Sequence, residues 1–131
     1  MGTPTNKVTQ GIKISVETQF QREHSVAEHR HFLFSYQITI ENNSDYTVQL
    51  IARHWDIYDS SSEHSEVDGE GVVGEQPVLE PGEIFEYESA CSLTTDIGKM
   101  SGRYLMERKV DKALFYVAIP EFELIVPLRL N

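Results

Sequence analysis

The chain has a single cysteine, no apolar run near the length of a membrane span, and no lysine or arginine between Asp56 and Asp96. Each shortage excludes something. With Cys91 alone, no disulfide can form within the chain, and a reducing compartment is expected. A helix that crosses a bilayer needs roughly 20 apolar residues in succession, and the opening MGTPTNKVTQG lacks the apolar core of a secretory signal. Residue 6 is Asn, where a myristoylation signal carries Ser or Thr. The expectation is a cytoplasmic protein with no membrane contact.

The missing bases matter most. The interval from Asp56 to Asp96 holds twelve acids, whereas the rest of the chain holds nine acids and eleven bases, for a net charge of −10. Nucleic-acid affinity comes largely from Lys and Arg neutralising phosphates. Nucleic acid is therefore not an expected partner, and a basic protein surface is.

What the chain does have is alternation. In GIKISVETQF, Ile12, Ile14 and Val16 alternate with Lys13, Ser15 and Glu17. In HFLFSYQITIE, Phe32, Phe34, Tyr36, Ile38 and Ile40 share one face, the signature of a half-buried antiparallel strand. TVQLIARHWDIYD reads as a long strand with apolar residues on both faces: Ile51, Trp55 and Ile57 on one, Val48, Leu50 and Ala52 on the other. IFEYESAC alternates again, and MSGRYLMER, LFYVAI and FELIVPLRL supply three more strands. ENNSDY, Pro81-Gly82 and KVDK at 109–112 read as turns. Pro120 is expected to separate the last two strands, and Pro127 to place the final one at an edge. SSSEHSEVDGE reads as a polar loop leading to a short strand near Val72–Val73, and SVAEHRH lacks the apolar face of a helix.

The expected fold is all-β: an antiparallel β-sandwich of immunoglobulin or fibronectin type III-like character with seven or eight strands, a closed barrel being the alternative. The 131 residues form one domain, 1–131, with residues 1–10 as a flexible N-terminus.

Gly69, Gly71 and Gly74 stand in the G-x-G-x-x-G spacing that cradles a pyrophosphate when a strand precedes it and a helix follows. That context fails here, because EQPVLEPGE follows and its two prolines prevent a helix. Acids at 66, 68, 70 and 75 would repel a phosphate unless a divalent cation bridged them. A role in shaping turns is the preferred reading of these glycines.

The histidines are His24, His29, His31, His54 and His64. His29 and His31 would project together from a strand, yet a structural zinc wants about four ligands, and the expectation is no metal. The acids Asp59, Glu63, Glu66, Asp68 and Glu70 do not match a calcium-loop spacing and read as a solvated loop. Nothing resembles a catalytic constellation: there is no G-x-S-x-G elbow, and Cys91 reads as a small buried residue. Trp55 reads as core; exposed instead, it would join Arg53, Glu66, Asp68 and Glu70 in a candidate interaction surface.

Five segments carry a family likeness. RHWDI at 53–57, EVDGEGVVGEQPVLEPGE at 66–83, FEYESAC at 85–91, GKMSGRYLM at 98–106 and FYVAIPEFELIVP at 115–127 resemble the ApaG family, from about Ile12 to Pro127. The chain departs from the family's pattern at Ser89-Ala90, at Thr95-Asp96 and in the KVDK turn, all matters of turn geometry. The resemblance implies a fibronectin type III-like sandwich with no established catalytic activity and no cofactor. It implies an indirect link to cobalt and magnesium efflux or tolerance, and gene proximity to a diadenosine tetraphosphatase. Eukaryotic relatives, as domains of an F-box protein and of a polymerase δ-interacting protein, imply protein–protein binding. The resemblance also brings a proposal that the glycine motif binds pyrophosphate, which would fall on Gly69, Gly71 and Gly74. The expected function is a non-enzymatic binding module for a protein partner. The alternative is a nucleotide, pyrophosphate or divalent-cation sensor working through residues 69–74, with weak nucleotide or Mg2+ binding. The partner and oligomeric state are left open.

Overall fold

Strands form where apolar side chains recur every second residue, and each buries that face against the opposing sheet. The computed structural model describes residues 5–61 and 63–127. Within them the order is β1 (Thr5–Thr9), β2 (Ile12–Phe20), β3 (Phe32–Asn42), β4 (Val48–Asp59), β5 (His64–Glu70), β6 (Val78–Leu79), β7 (Ile84–Leu93), β8 (Ile97–Arg108) and β9 (Ala113–Ile125). One sheet runs β1-β2-β3-β7; the other runs β5-β4-β8-β9, with β6 also paired to β4. All pairings are antiparallel. The sandwich reading holds, with nine strands among the described residues instead of seven or eight.

The core lies between the sheets. Ile12, Ile14, Ile38 and Ile40 from one side meet Leu50, Met100, Tyr104 and Leu124 from the other, all fully buried or within 2 % of it. Tyr36, Trp55 and Phe122 pack edge-on or tilted, with ring centroids 5.4–5.9 Å apart. The Tyr87 and Tyr104 hydroxyls meet across the core at 2.5 Å. Asn42, fully buried, ends β3 with every polar atom used. Its amide donates to the carbonyls of Tyr46 and Leu79, and its oxygen accepts from the amide and hydroxyl of Ser44.

Five expectations change. The segment 1–10 is not flexible throughout, because Thr5–Thr9 pairs with β2 through a two-residue turn at Gln10-Gly11 with positive φ at both; residues 1–4 lie outside the described residues. Strand β4 does not present two apolar faces. A bulge at Ile51 shifts its register, so that Val48 and Leu50 before it, and Arg53, Trp55 and Ile57 after it, all turn toward the core side. Pro120 does not separate two strands; β9 runs through it, with Pro120 and Glu121 opposing Ser101 in a second irregularity. The polar segment 64–70 is the strand β5, which pairs with β4 at the edge of its sheet and leaves every residue exposed except the half-buried Gly69. The short strand expected at Val72–Val73 is a single bridge, Val72 to Glu75.

β9 is an edge strand of its sheet, as expected, and Glu80 to Glu83 forms the expected turn, with the Glu83 amide on the Glu80 carbonyl and Gly82 at φ 89°. Around 22–31 the chain makes two short 3-10 turns, Arg22–His24 and Ala27–His29.

Candidate functional site

The pairing of β5 with β4 decides where the candidate residues point. Ala52 faces Glu70, His54 faces Asp68 and Asp56 faces Glu66 on the outer surface; Arg53 faces Gly69 and Trp55 faces Val67 on the inner one. Glu66, Asp68 and Glu70 thus stand together on the outside. Trp55 is only 3 % exposed, in the core, and does not reach a partner surface. Arg53 lies at the inner edge of β5.

Arg53 organises the glycine segment. Its Nη1 donates to the carbonyls of Glu70 and Gly71, at 3.0 and 2.9 Å. A Cβ on residue 69 would stand 2.8–2.9 Å from the guanidinium, so glycine at 69 leaves the space Arg53 fills. Gly71 has φ +58°, and a Cβ there would meet the Glu75 carbonyl oxygen at 2.0 Å. The Gly71 amide donates to the Ile51 carbonyl, and Val72 and Glu75 exchange amide-to-carbonyl bonds. A phosphate cradle needs converging N–H groups. In this loop the carbonyls of 70 and 71 converge on a cation, while the amides of 71, 72 and 75 are committed to the backbone. Gly69 belongs to β5 itself, and Gly74, at φ +81°, shapes the turn.

On the outer face, His54 sits among carboxylates. Its Nδ1 lies 2.7 Å from Asp68 Oδ1, and its Nε2 lies 3.3 Å from Asp56 Oδ2 and 3.5 Å from Glu66 Oε1. His64 Nε2 reaches the other oxygen of Asp56 at 3.1 Å, and its ring stacks on Tyr58, centroids 4.4 Å apart. The hydrogen bond to Asp68 raises the His54 pKa against a smaller effect of burial, and the charges of Asp68 and Asp56 add to it. The hydrogen bond from His64 lowers the Asp56 pKa, with His54 contributing. The sequence hides this cluster because Glu66 and Asp68 belong to a segment whose composition reads as a loop. The period-two spacing of Glu66, Asp68 and Glu70, matched by His54 and Asp56, was the available signal.

His29 and His31 do not project together. His29 ends a 3-10 turn, Arg30 takes a left-handed conformation at φ 55°, and His31 bonds Ser92 Oγ through Nδ1 at 3.0 Å.

Between β5 and β7 the sandwich opens into a cleft of about 390 Å3, with Arg53, Trp55, Val67 and Val72 on one wall and Tyr87, Ser89 and Cys91 on the other. The opposite side is closed where β9 meets β1, with the Ala118 amide donating to Thr9 Oγ1. Burial pushes the Cys91 thiol up to about 11, aided by the charge of Asp59. It therefore stays a neutral thiol near pH 7, a poor nucleophile, in keeping with the buried residue expected. No helix among the described residues is long and apolar enough to cross a membrane.

The comparisons with known proteins agree with this architecture. A family model described as the ApaG domain matches residues 22–108. The ApaG protein of Brucella anthropi is 49 % identical over 120 residues, and that of Brucella canis 48 %, each alignment covering 92 % of both chains. A crystal structure of an ApaA protein from Bordetella pertussis superposes with a TM-score of 0.85 at 40 % identity, covering 88 % of this chain and 94 % of that one. A second X-ray structure gives 0.84 at 38 % identity, covering 89 % and 88 %. The sandwich, the matched span of sequence and these superpositions lead to one assignment: the chain belongs to the ApaG domain family.

Proposed function

We propose that this chain is a non-enzymatic binding module that holds an extended segment of a partner protein along the open side of its sandwich, between β5 and β7. The observation that carries this is the pairing pattern: within the described residues β5 bonds only to β4 and β7 only to β3, and the cleft lies between their outer edges. A free edge offers backbone donors and acceptors at strand spacing to an incoming chain. Val67 and Val73, 40 % and 54 % exposed, provide apolar wall. Acids stand on both lips, Glu66, Asp68 and Glu70 on one and Glu86 and Glu88 on the other, all exposed. An apolar residue flanked by Lys or Arg is the matching occupant. Arg53, Glu66, Asp68 and Glu70 form the interaction surface, without Trp55. Any bearing on cobalt or magnesium tolerance is then exerted through the partner.

The sensor reading through residues 69–74 has less support, since the amides of Gly71 and Val72 are already donated to carbonyls. A photo-crosslinking residue at Ala90, on the β7 edge, tests the module reading in native cytoplasm. Capture of a discrete partner should weaken as salt rises from about 0.05 to 0.5 M and be lost in Val67→Glu. Capture indifferent to both changes overturns the proposal.

A further inference from the structure

The outer face of the β4–β5 pair carries a second feature, which shares Glu66 and Asp68 with the proposed interaction surface but does not depend on the binding-module reading. We infer that His54, Asp56 and Glu66 form a three-ligand site for a borderline divalent metal ion such as zinc.

The ligand atoms have the required spacing. In a tetrahedral zinc site with bonds of about 2.0–2.1 Å, ligand atoms stand roughly 3.3 Å apart. His54 Nε2 lies 3.3 Å from Asp56 Oδ2 and 3.5 Å from Glu66 Oε1, and the three atoms fall within 4.8 Å of one another. The fourth position opens to solvent on the side of Glu66, whose side chain is 57 % exposed. One imidazole and two carboxylates suit zinc and its neighbours in the first transition row; magnesium prefers six oxygen ligands.

The surroundings orient the ligands. Nδ1 lies 2.7 Å from Asp68 Oδ1, so the His54 tautomer that carries its proton on Nδ1 donates it to Asp68 and turns the lone pair of Nε2 toward Asp56 and Glu66. A proton on Nε2 or a metal ion can fill the gap between that nitrogen and the two carboxylate oxygens, and the metal completes the carboxylate–histidine–metal relay that outer partners commonly impose. His64 holds the remaining oxygen of Asp56. The nearby bases on β8 are drawn elsewhere: Arg103, opposite His54, lies over the Tyr116 ring, and Lys99 reaches Glu121 and the face of Tyr58. The ladder sets the spacing, because His54 and Asp56 are two residues apart on β4 and Glu66 lies directly across from Asp56 on β5.

A metal here would tie the edge strand β5 to β4, and since only the folded ladder assembles the ligands, binding would stabilise the folded state. The test is calorimetric titration of the full, untagged chain with zinc chloride at pH 7.5. One equivalent is expected to bind. Affinity should fall at least about tenfold in His54→Ala and in Glu66→Gln, and by about tenfold in Asp68→Ala, which keeps all three ligands and removes the orienting bond. Glu66 is exposed, so its variant folds regardless of the outcome at His54. Two further readouts accompany it: zinc should slow amide exchange in residues 64–70, and ring-nitrogen NMR should shift His54 Nε2. Absence of binding, affinity unchanged in both His54→Ala and Glu66→Gln, or competition by magnesium at equal concentration would each overturn the assignment.

Discussion

The Arg53 guanidinium donates to the Gly71 carbonyl at 2.9 Å, and the same nitrogen reaches the Glu70 carbonyl. The glycine segment is thereby wrapped around a side chain of its own protein. Two consequences can be measured. Gly71→Ala, with its Cβ driven against the Glu75 carbonyl and its φ at +58°, should lower stability by about 2–4 kcal/mol in urea denaturation. Wild-type protein should give no calorimetric heat with ATP and magnesium at a site removed by that change. Undiminished stability together with nucleotide binding lost in the variant would return the loop to the role of a ligand site.

Asn42 is the buried polar residue on which the end of β3, the following turn and β6 converge. Asn42→Ala leaves the Leu79 carbonyl without its side-chain partner and opens a small cavity. The expected cost is about 2–3 kcal/mol, read as a lower urea midpoint with an unchanged slope. A loss below about 0.5 kcal/mol would mean that water replaces the amide without penalty.

Asp59 joins the end of β4 to the turn after β7. Its carboxylate accepts from the Thr94 amide and hydroxyl at 2.9 and 2.7 Å, and from the Thr95 hydroxyl. Burial opposes its charge, yet the hydrogen bonds from Thr95 and Thr94 prevail and bring the carboxyl down to about 2. An unfolded Asp titrates near 3.9. A folded pKa below the unfolded one gives stability that is present above about pH 4 and lost as pH falls toward 2. The stability difference between wild type and Asp59→Asn should therefore shrink across that window. A difference that stays constant from pH 6 to about pH 2 would remove the ionised carboxylate from the account.

Tyr36, Tyr87 and Tyr104 have pKa values raised above that of a free phenol, burial being the largest cause for each. In ultraviolet titration these tyrosines should be less ionised at pH 10 than a free phenol, which is about half ionised there. Because the folded values are raised, the linked stability is present below about pH 10 and is lost as pH rises beyond it. Tyr104→Phe deprives the Tyr87 hydroxyl of its partner and should cost about 1–2 kcal/mol. Full ionisation of all the tyrosines by pH 10 in folded protein would contradict this packing.

Much of the architecture was legible because burial imposes period two. The faces of β2, β3 and β7 follow directly from their alternation, and the turns at 80–83 and 109–112 from their residues. Irregular strands were less legible. At Ile51 a bulge inverts the parity of β4, so one buried face reads as two half-apolar ones. At Pro120 an irregular rung tolerates a missing N–H that would break a regular ladder. The strand β5 hid because an edge strand needs little apolar content, and its acids stood where a loop would carry them.

The order of residues alone determined the all-β class, the core faces of β2, β3 and β7, the burial of Trp55 and Cys91, and the acidic bias between Asp56 and Asp96, since each is a local consequence of hydrophobic spacing or charge count. Tertiary structure decided what the glycines serve and which acids meet which histidine. Those relations depend on the register of the β4–β5 hairpin: Gly69 lies under Arg53, and Asp68 and Glu66 stand beside His54 and Asp56, only because residues 10 to 16 positions apart in the chain align rung by rung.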